Sequence, residues 1–292
     1  MKTKILLTAF VASFFILHST LSSSAATTIN AANHFAYAAN LGWVDWRGDT
    51  ANGAVIGDYV CSGSIYSANV GWINLGNASP ANQVRYQNLA ANDFGVNHDG
   101  VGNLRGYAYG ANIGWINFEN TGAPKVDLLT GKLSGSVYSA NCGWISLSNS
   151  VAFVQTDSFD PGSLAVNGLP TAWLISTFGT TNVGANLDLD GDGVSNADEY
   201  LAGTDPFSAA SYLRIRSQTF ASGGTSATLQ WTTVSNRVYH IERSVNLAAT
   251  NWNDSALGTI APDLTPLTTR TFADTNAPIR FYRIRATRPL LP

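Results

Sequence analysis

The sequence predicts a mainly β protein in three parts: a four-unit β-repeat domain, a small helical connector around an acidic loop, and a C-terminal antiparallel β-sandwich. Three observations predict this. A short string recurs four times in the first half, an acidic loop of fixed spacing follows, and alternating apolar runs occupy the last third. With 45% hydrophobic and 12% charged residues among 292, the chain has ample apolar surface to bury, which excludes an intrinsically disordered protein.

The first 26 residues have the composition of a secretory signal peptide. Lys2 and Lys4 precede an apolar run over residues 5–17, and a small polar stretch leads to Ala25 and Ala26. The run is shorter than the ~20 residues that a membrane-spanning helix needs. We therefore expect export to a secreted, extracellular or outer-surface location, without a transmembrane anchor. Large basic fields are missing, so no nucleic-acid partner is expected.

Charge divides the chain after the signal peptide into three parts. Residues 27–162 carry five basic and nine acidic residues, residues 163–210 carry none and six, and residues 211–292 carry nine and four. Turn-rich joins at residues 157–163 and 208–211 coincide with these changes. We take these joins as the predicted domain boundaries.

The strongest signal in the first part is the string Ala-Asn-x-Gly-Trp, which ends at Trp43, Trp72, Trp115 and Trp144 (the repeat tryptophans). Their spacings of 29, 43 and 29 residues indicate that a pair of units was duplicated. Around each string, β-branched and aromatic residues lead into a turn supplied by Asn and Gly, and an alternating strand follows. We expect about three strands per unit. The pattern does not decide whether the units close into a ring or stack.

The repeat tryptophans have two interpretations. A residue that recurs in every unit is most simply one that each unit needs in order to fold, so core packing is the favoured interpretation. The alternative is carbohydrate binding, because an aromatic face packs well against the apolar face of a sugar ring. The same two interpretations apply to the recurring tyrosines, Tyr37, Tyr66, Tyr109 and Tyr138.

Export permits disulfide bonds, and the chain has two cysteines, Cys61 and Cys142. If they pair, they close a loop of 81 positions, and the chain-entropy model assigns such a loop about 4 to 5 kcal/mol. The alternative is two free thiols in strands of small residues. The sequence leaves both open.

Residues 188–199 match the calcium-loop pattern D-x-[DN]-x-[DN]-G-x5-E at every fixed position. Calcium binds six to eight oxygen ligands, and a tightly wound loop turns alternate side chains inward. The segment 163–210 has no Lys or Arg to neutralise these carboxylates, so a cation would relieve their repulsion. Gly193 occupies the position of the sharp turn. The predicted ligands are the side chains of Asp188, Asp190, Asp192, Asn196 and Glu199 and the carbonyl of Val194.

Two short helices are predicted beside this loop. Pro170 suits the first turn of one helix, which Gly179 ends. Ser195 followed by Asp198 resembles a capping box at the start of the second, which ends at Gly203. We expect Trp173 and Phe178 of the first helix to pack against Tyr200 and Leu201 of the second.

The stretch D-L-D-G-D-G-V-S-N-A-D-E-Y-L-A-G-T-D-P over residues 188–206 resembles the calcium-binding loops of bacterial thrombospondin type 3 repeats and the EF-hand-like segments of secreted multidomain proteins. The resemblance implies Ca²⁺ as the cofactor. A dockerin would carry a second loop, and a regulatory EF-hand would be paired, whereas this sequence contains one loop. A static connector with an extracellular affinity of about 10⁻⁴ to 10⁻³ M is therefore expected.

Short alternating runs separated by turns fill residues 213–286 and predict an antiparallel β-sandwich. This part looks like a fibronectin type III-like module. Trp231, Tyr239 and Tyr282 are its expected core aromatics. The arginines that alternate with apolar residues on two runs, Arg214, Arg216, Arg283 and Arg285, are expected to form a solvated face.

No catalytic signature emerges from the sequence. The three histidines after the signal peptide, His34, His98 and His240, lack metal-ligand spacing, and no G-x-S-x-G, H-E-x-x-H or phosphate-binding loop is present. We therefore expect a non-enzymatic structural or binding protein whose partner is an extracellular or cell-surface polysaccharide or protein. A lectin-like protein that uses the repeat tryptophans is the alternative, and a glycan hydrolase is the less favoured third possibility.

Overall fold

The computed structural model describes residues 27–249, 251–274 and 280–291. The protein is mainly β, as predicted, with 41% of the described residues in strands and 7% in helices. The predicted signal peptide lies outside the described residues. Within the described ranges, no helix has both the length and the apolar character needed to cross a membrane.

Thirteen described strands lie in the first part of the chain. They are β1 (Ile29–Ala38), β2 (Gly42–Asp45), β3 (Val55–Ile56), β4 (Cys61–Ser67), β5 (Gly71–Asn77), β6 (Val96–His98), β7 (Leu104–Gly110), β8 (Gly114–Asn117), β9 (Lys125–Val126), β10 (Leu133–Ser134), β11 (Ser136–Ser139), β12 (Gly143–Ser146) and β13 (Val154–Thr156). A 3-10 helix spans Asn120–Gly122.

Eight of these strands form a closed barrel. Each Ala-Asn-x-Gly-Trp string makes one hairpin, and the four hairpins are β1–β2, β4–β5, β7–β8 and β11–β12. They join edge to edge, because β2 pairs with β4, β5 with β7, and β8 with β11. Pairing of Tyr37 in β1 with Ser146 in β12 completes the circle. Closure into a ring therefore answers the question that the repeat pattern left open.

The remaining strands extend the barrel at its margins. β3 pairs with β4, β6 with β7, and β13 with β1, while β9 and β10 form a separate two-stranded sheet. Each unit therefore contributes two strands to the barrel and not the three that were expected. The additional strands are short and flank the barrel.

The hairpin turns follow from the residues of the string. In the first hairpin, the Leu41 N–H donates to the Ala38 carbonyl at 3.2 Å, and Ala38 then pairs with Gly42. Such a three-residue turn ends in the left-handed region, where glycine has no steric penalty. The four glycines of the strings have φ between +72° and +80°. The glycine of every unit is thus required by the backbone.

The asparagine of each string binds the neighbouring hairpin. Its amide Nδ2 donates to the carbonyl of the x residue one hairpin earlier around the barrel. The four bonds are Asn69 to Leu41 (3.0 Å), Asn112 to Val70 (2.9 Å), Asn141 to Ile113 (3.0 Å) and Asn40 to Cys142 (3.3 Å). Because the last bond returns to the fourth hairpin, the turns form a closed hydrogen-bonded ring, which we call the asparagine ring.

Replacing Asn112 by alanine is expected to destabilise the barrel by about 1 kcal/mol, the net contribution of one such hydrogen bond. Asn112→Asp should cost at least as much, because an ionised carboxylate cannot donate to the Val70 carbonyl. Urea unfolding followed by tryptophan fluorescence measures the effect. Asn92→Ala is the control, since Asn92 is exposed and makes no hydrogen bond in the described structure; a loss at Asn112 no larger than at Asn92 would refute the role of the ring.

The repeat tryptophans do not pack in the core, which contradicts the favoured interpretation. They lie on the outer face of the barrel and are 47–48% exposed. Strand alternation gives the reason: successive side chains point to opposite faces, and the residue after each tryptophan is the apolar one that faces inward. These inward residues are Val44, Ile73, Ile116 and Ile145, each at most 2% exposed.

Cys61 and Cys142 are buried free thiols, so the structure supports the second of the two cysteine alternatives. Cys61 begins β4 at the end away from the hairpin turns, whereas Cys142 lies in the turn of the fourth hairpin. A strand the length of β4 separates its two ends by about 20 Å. Bridged cysteines have Cα atoms no more than about 7 Å apart. A disulfide within the chain is therefore excluded, and burial raises the pKa of the Cys61 thiol to about 12.

The predicted helices are present as α1 (Thr171–Phe178) and α2 (Asn196–Ala202). Ser195 caps α2 by accepting the Asp198 N–H, and Gly203 ends it with φ +74°. Trp173 packs on Tyr200 with ring centroids 5.2 Å apart, as expected. Leu201 differs from the expectation, because 43% of it is exposed.

The strands of the last part of the chain are β14 (Ile215–Phe220), β15 (Ser226–Thr232), β16 (Val238–Ser244), β17 (Asn253–Asp254), β18 (Leu267–Ala273) and β19 (Phe281–Thr287). They form two three-stranded sheets, with strand orders β14-β15-β18 and β17-β16-β19. Trp231 and Tyr239 are fully buried between the sheets, and Tyr282 is half-buried at their edge. Across the second sheet, Arg283 and Arg285 both donate to Glu242, at 2.7 and 2.8 Å, so this part of the arginine face is ion-paired.

Candidate metal centre

Three aspartates of the predicted calcium loop converge. Asp188, Asp190 and Asp192 each offer a carboxylate oxygen, and these oxygens all lie within 4.8 Å of one another. They occupy positions 1, 3 and 5 of the loop, which are the positions whose side chains a calcium loop turns inward. Within the described residues, no other group of three His, Cys, Asp or Glu side chains is placed to hold a metal.

Backbone N–H groups fix the shape of the loop. Asp188 accepts hydrogen bonds from the N–H groups of Gly191 at 2.8 Å and Gly193 at 2.9 Å, which lower the pKa of its carboxyl. Asp192 accepts from the N–H of Val194 at 2.8 Å. Gly193 has φ +91°, which explains why glycine is needed at position 6. Each of these two aspartates is therefore oriented by the loop itself.

Oxygen atoms at three ligand positions are buried without a hydrogen-bond partner. They are Oδ2 of Asp190, Oδ2 of Asp192 and Oδ1 of Asn196. Asn196 is fully buried, and its Nδ2 donates to the Gly184 carbonyl at 2.9 Å, which fixes the side of the amide on which Oδ1 lies. An unpaired buried oxygen costs about 1 to 3 kcal/mol. A bound cation would supply the partner that these three atoms lack.

Glu199, the predicted ligand at position 12, lies in the first turn of α2 and is 1% exposed. Burial, followed by the negative charges of Asp190 and Asp192, raises the pKa of its carboxyl to about 7. Within the part of the chain that the structure describes, its carboxylate accepts one hydrogen bond, from the Thr204 hydroxyl at 3.4 Å from Oε1. Glu199 is not one of the three residues whose carboxylate oxygens converge, but the charges of Asp190 and Asp192 act on it. Its burial without a cationic partner among the described residues favours a metal ion nearby.

The residues present suit calcium. All the predicted side-chain donors are carboxylate or amide oxygens, which are hard ligands that Ca²⁺ prefers over the nitrogen and sulfur ligands of zinc sites. Val194 lies at position 7, where a calcium loop contributes its backbone carbonyl. When bound, the ion would be held by Asp188, Asp190, Asp192, Asn196 and Glu199, and it would neutralise their charge.

The opposite end of α2 is held by the C-terminal part. Arg237, immediately before β16, donates through Nε to the Leu201 carbonyl at 2.8 Å and through Nη2 to the Tyr200 carbonyl. Its side chain is buried, and its guanidinium lies 5.9 Å from the centre of the Tyr200 ring. A cation at a helix C-terminus is stabilised by the helix dipole as well as by these bonds. No sequence pattern singles out Arg237.

The chain after β19 returns to the barrel. Arg288 forms an ion pair with Asp58, and its guanidinium stacks 5.6 Å from the Tyr200 ring centre. The Phe159 N–H donates to the Leu290 carbonyl at 2.9 Å, and the Leu290 side chain packs against the barrel core. Tyr200 of α2 is therefore contacted by arginines from the C-terminal part, one of which is paired with the barrel.

The other predicted ligand-binding residues form a second, separate feature. Each repeat tryptophan stands opposite a tyrosine across its hairpin, and the ring centroids are 4.9–5.1 Å apart in all four pairs. The tyrosines are 38–42% exposed. The barrel thus presents four similar Tyr–Trp surfaces around its outside.

Comparison with known proteins gives no relative: no protein-family model, no curated protein and no solved structure matches this chain.

Proposed function

We propose that this chain is an exported, non-enzymatic structural or binding protein in which Ca²⁺ on the 188–199 loop holds α2 as the joint between the barrel and the C-terminal sheets. The observation that supports this most strongly is the set of buried, unpaired oxygens on Asp190, Asp192 and Asn196. These atoms occupy three ligand positions of a loop whose spacing matches a calcium site.

The two ends of α2 connect the metal to the joint. Glu199 stands in its first turn beside the aspartates, and the carbonyls of Tyr200 and Leu201 in its last turn bind Arg237. Without the ion, the carboxylates repel one another at the start of a helix of only 7 residues. With the ion, the same groups become ligands that fix the start of the helix. Calcium therefore acts as a static brace.

Calcium is expected to raise the free energy of unfolding in proportion to its occupancy. At about 10 mM Ca²⁺ and a dissociation constant of 10⁻⁴ to 10⁻³ M, the gain is about 1.4 to 2.7 kcal/mol. Thermal melting in calcium, in magnesium and in a chelator measures this, together with calorimetric titration of Ca²⁺. A melting temperature that is the same in all three conditions would refute the brace.

A second candidate function is carbohydrate binding by the barrel. It is favoured by the exposure of the repeat tryptophans, which core packing would have hidden. An aromatic ring with an open face on an exported protein is suited to the apolar face of a sugar. Binding to immobilised glycans, measured with and without calcium, tests this candidate separately from the brace.

A further inference from the structure

The four Tyr–Trp surfaces are not equivalent. Two residues before the tyrosine, on the same outer face, the first and third hairpins carry an aromatic residue, Phe35 and Tyr107. The second and fourth hairpins carry serine there, Ser64 and Ser136. The aromatic surface is therefore larger on alternate hairpins.

The third hairpin also has a cleft beside its tryptophan. The Phe94 ring stands nearly perpendicular to Trp115, at 84° and 5.1 Å between centroids, and Tyr107 lies at 77° and 6.2 Å. The loop of residues 88–94 forms the opposite wall. The cleft encloses about 400 Å³, a volume within the range of small-ligand sites. Its lining is Asn88, Leu89, Ala90, Ala91, Phe94, Tyr107 and Trp115, which we call the Trp115 cleft.

The wall loop is held in place by hydrogen bonds. Asn88 accepts the Gly95 N–H through Oδ1 at 2.9 Å and donates its own N–H to the Asp93 carbonyl at 3.0 Å. The Asp93 side chain is buried and accepts the N–H groups of Ala81 and Gln87, both at 3.1 Å. A ligand would therefore meet a wall that is already formed, which reduces the entropic cost of binding.

The chemistry of the lining indicates the ligand. None of the seven lining residues is charged, so the cleft suits a neutral molecule. Perpendicular aromatic rings offer flat apolar contact, and Asn88 and Tyr107 add an amide and a hydroxyl group to the lining residues. A pyranose ring has this combination of an apolar face and a hydroxyl-bearing edge. Repetition of the Tyr–Trp surface around one barrel further suits a polymer of identical units, since each surface can contact another unit.

We propose that the Trp115 cleft binds a pyranose unit of a neutral polysaccharide and is the principal glycan site of the barrel. This inference rests on the carbohydrate-binding candidate and is independent of the calcium brace. Electrophoresis of the full chain through native gels tests it, with a β-1,3-glucan, a β-1,4-xylan, an α-mannan or the anionic polymer alginate cast in separate gels.

We expect at least one neutral polysaccharide to retard the protein, equally in calcium and in chelator, with little retardation by alginate. Trp115→Ala should weaken binding at least 10-fold. Trp144→Ala is the matched control, because Trp144 has an equivalent tyrosine partner, Tyr138, and a similar exposure but does not line the Trp115 cleft; it should weaken binding less than 3-fold. Leu89→Asp should also weaken binding about 10-fold, and since Leu89 is 89% exposed, this change leaves the fold intact.

Three results would overturn the proposal. Equal losses for Trp115→Ala and Trp144→Ala would remove the special role of the cleft while leaving carbohydrate binding in place. If none of the neutral polysaccharides retards the protein, both the role of the cleft and carbohydrate binding by the barrel are refuted. The calcium brace is unaffected by that result. Quenching of tryptophan fluorescence by a proline-rich peptide, with no response to the polysaccharides, would reassign the cleft to a peptide.

Discussion

Replacing Glu199 by glutamine is expected to abolish the stabilisation of the protein by calcium. The change would remove the carboxylate at position 12, which is the predicted bidentate ligand that closes a calcium loop. Loss of even an outer-shell partner typically weakens metal binding by about 10- to 100-fold, so we expect at least about 100-fold weaker binding here. Calorimetric titration of Ca²⁺ measures the affinity, and melting in calcium and in chelator measures its effect on stability.

The same substitution should have the opposite effect in the absence of calcium. The raised pKa of Glu199, about 7, means that its neutral form stabilises the folded state below about pH 4.5 and that this contribution is lost as the pH rises through 7. Glutamine stays neutral throughout. In chelator, the native protein should therefore lose stability relative to Glu199→Gln as the pH rises from about 4.5 to about 7, with little further loss above that.

Asp198→Asn is the matched control for Glu199→Gln. It removes the same charge one residue away, but Asp198 accepts a hydrogen bond from the Ser195 hydroxyl at 2.6 Å and is not a predicted ligand. It should retain calcium binding within a few-fold. If both variants lose calcium equally, net charge rather than coordination holds the ion, and if neither does, the ligand assignment is wrong.

The features that the sequence predicts well are those determined by local chemistry. The convergence of Asp188, Asp190 and Asp192 is predictable because a tightly wound loop turns the side chains at alternate positions inward. The hairpins are recognisable because Asn and Gly in the turn, with alternating strands beside it, specify that geometry within a dozen residues. The caps of α2 at Ser195 and Gly203 belong to the same class.

The interpretation of the repeat tryptophans failed for a reason that the sequence contained. Recurrence in every unit, by itself, favours core packing. Strand alternation argues otherwise, because an inward residue such as Ile73 or Ile116 follows the tryptophan directly and the two cannot share a face. The residues that recur for a structural reason are the glycine, which the turn requires, and the asparagine, whose partner lies in another hairpin.

The sequence does not predict hydrogen-bond partners that are far apart along the chain. The bond from Asn40 to Cys142 joins residues 102 positions apart, and the bonds of Arg237 reach back 36 and 37 positions. Turn propensity explains why Asn40 occurs where it does but not what its amide binds. Closure of the barrel is likewise not predictable from local sequence, because it depends on pairing between the first and last hairpins.

Replacing Arg237 by methionine is expected to cost about 3 kcal/mol, because two charge-assisted hydrogen bonds are lost and two carbonyls at the end of α2 are left without their donor. Methionine keeps much of the apolar part of the arginine side chain, so the loss of unfolding free energy measures the contribution of the guanidinium group. Urea unfolding in saturating calcium measures it. Arg216→Met is the control, since Arg216 is exposed on β14 and should change stability by no more than about 0.5 kcal/mol.

The brace further requires that Arg237 and the metal site act on the same helix. If calcium fixes the start of α2 and Arg237 holds its end, then each loss should reduce the effect of the other. In a double-mutant cycle, Arg237→Met and Glu199→Gln should be non-additive in calcium by about 0.5 to 3 kcal/mol and nearly additive in chelator. Additivity in both conditions would mean that the ion stabilises its own loop without reaching the contact between α2 and the C-terminal sheets.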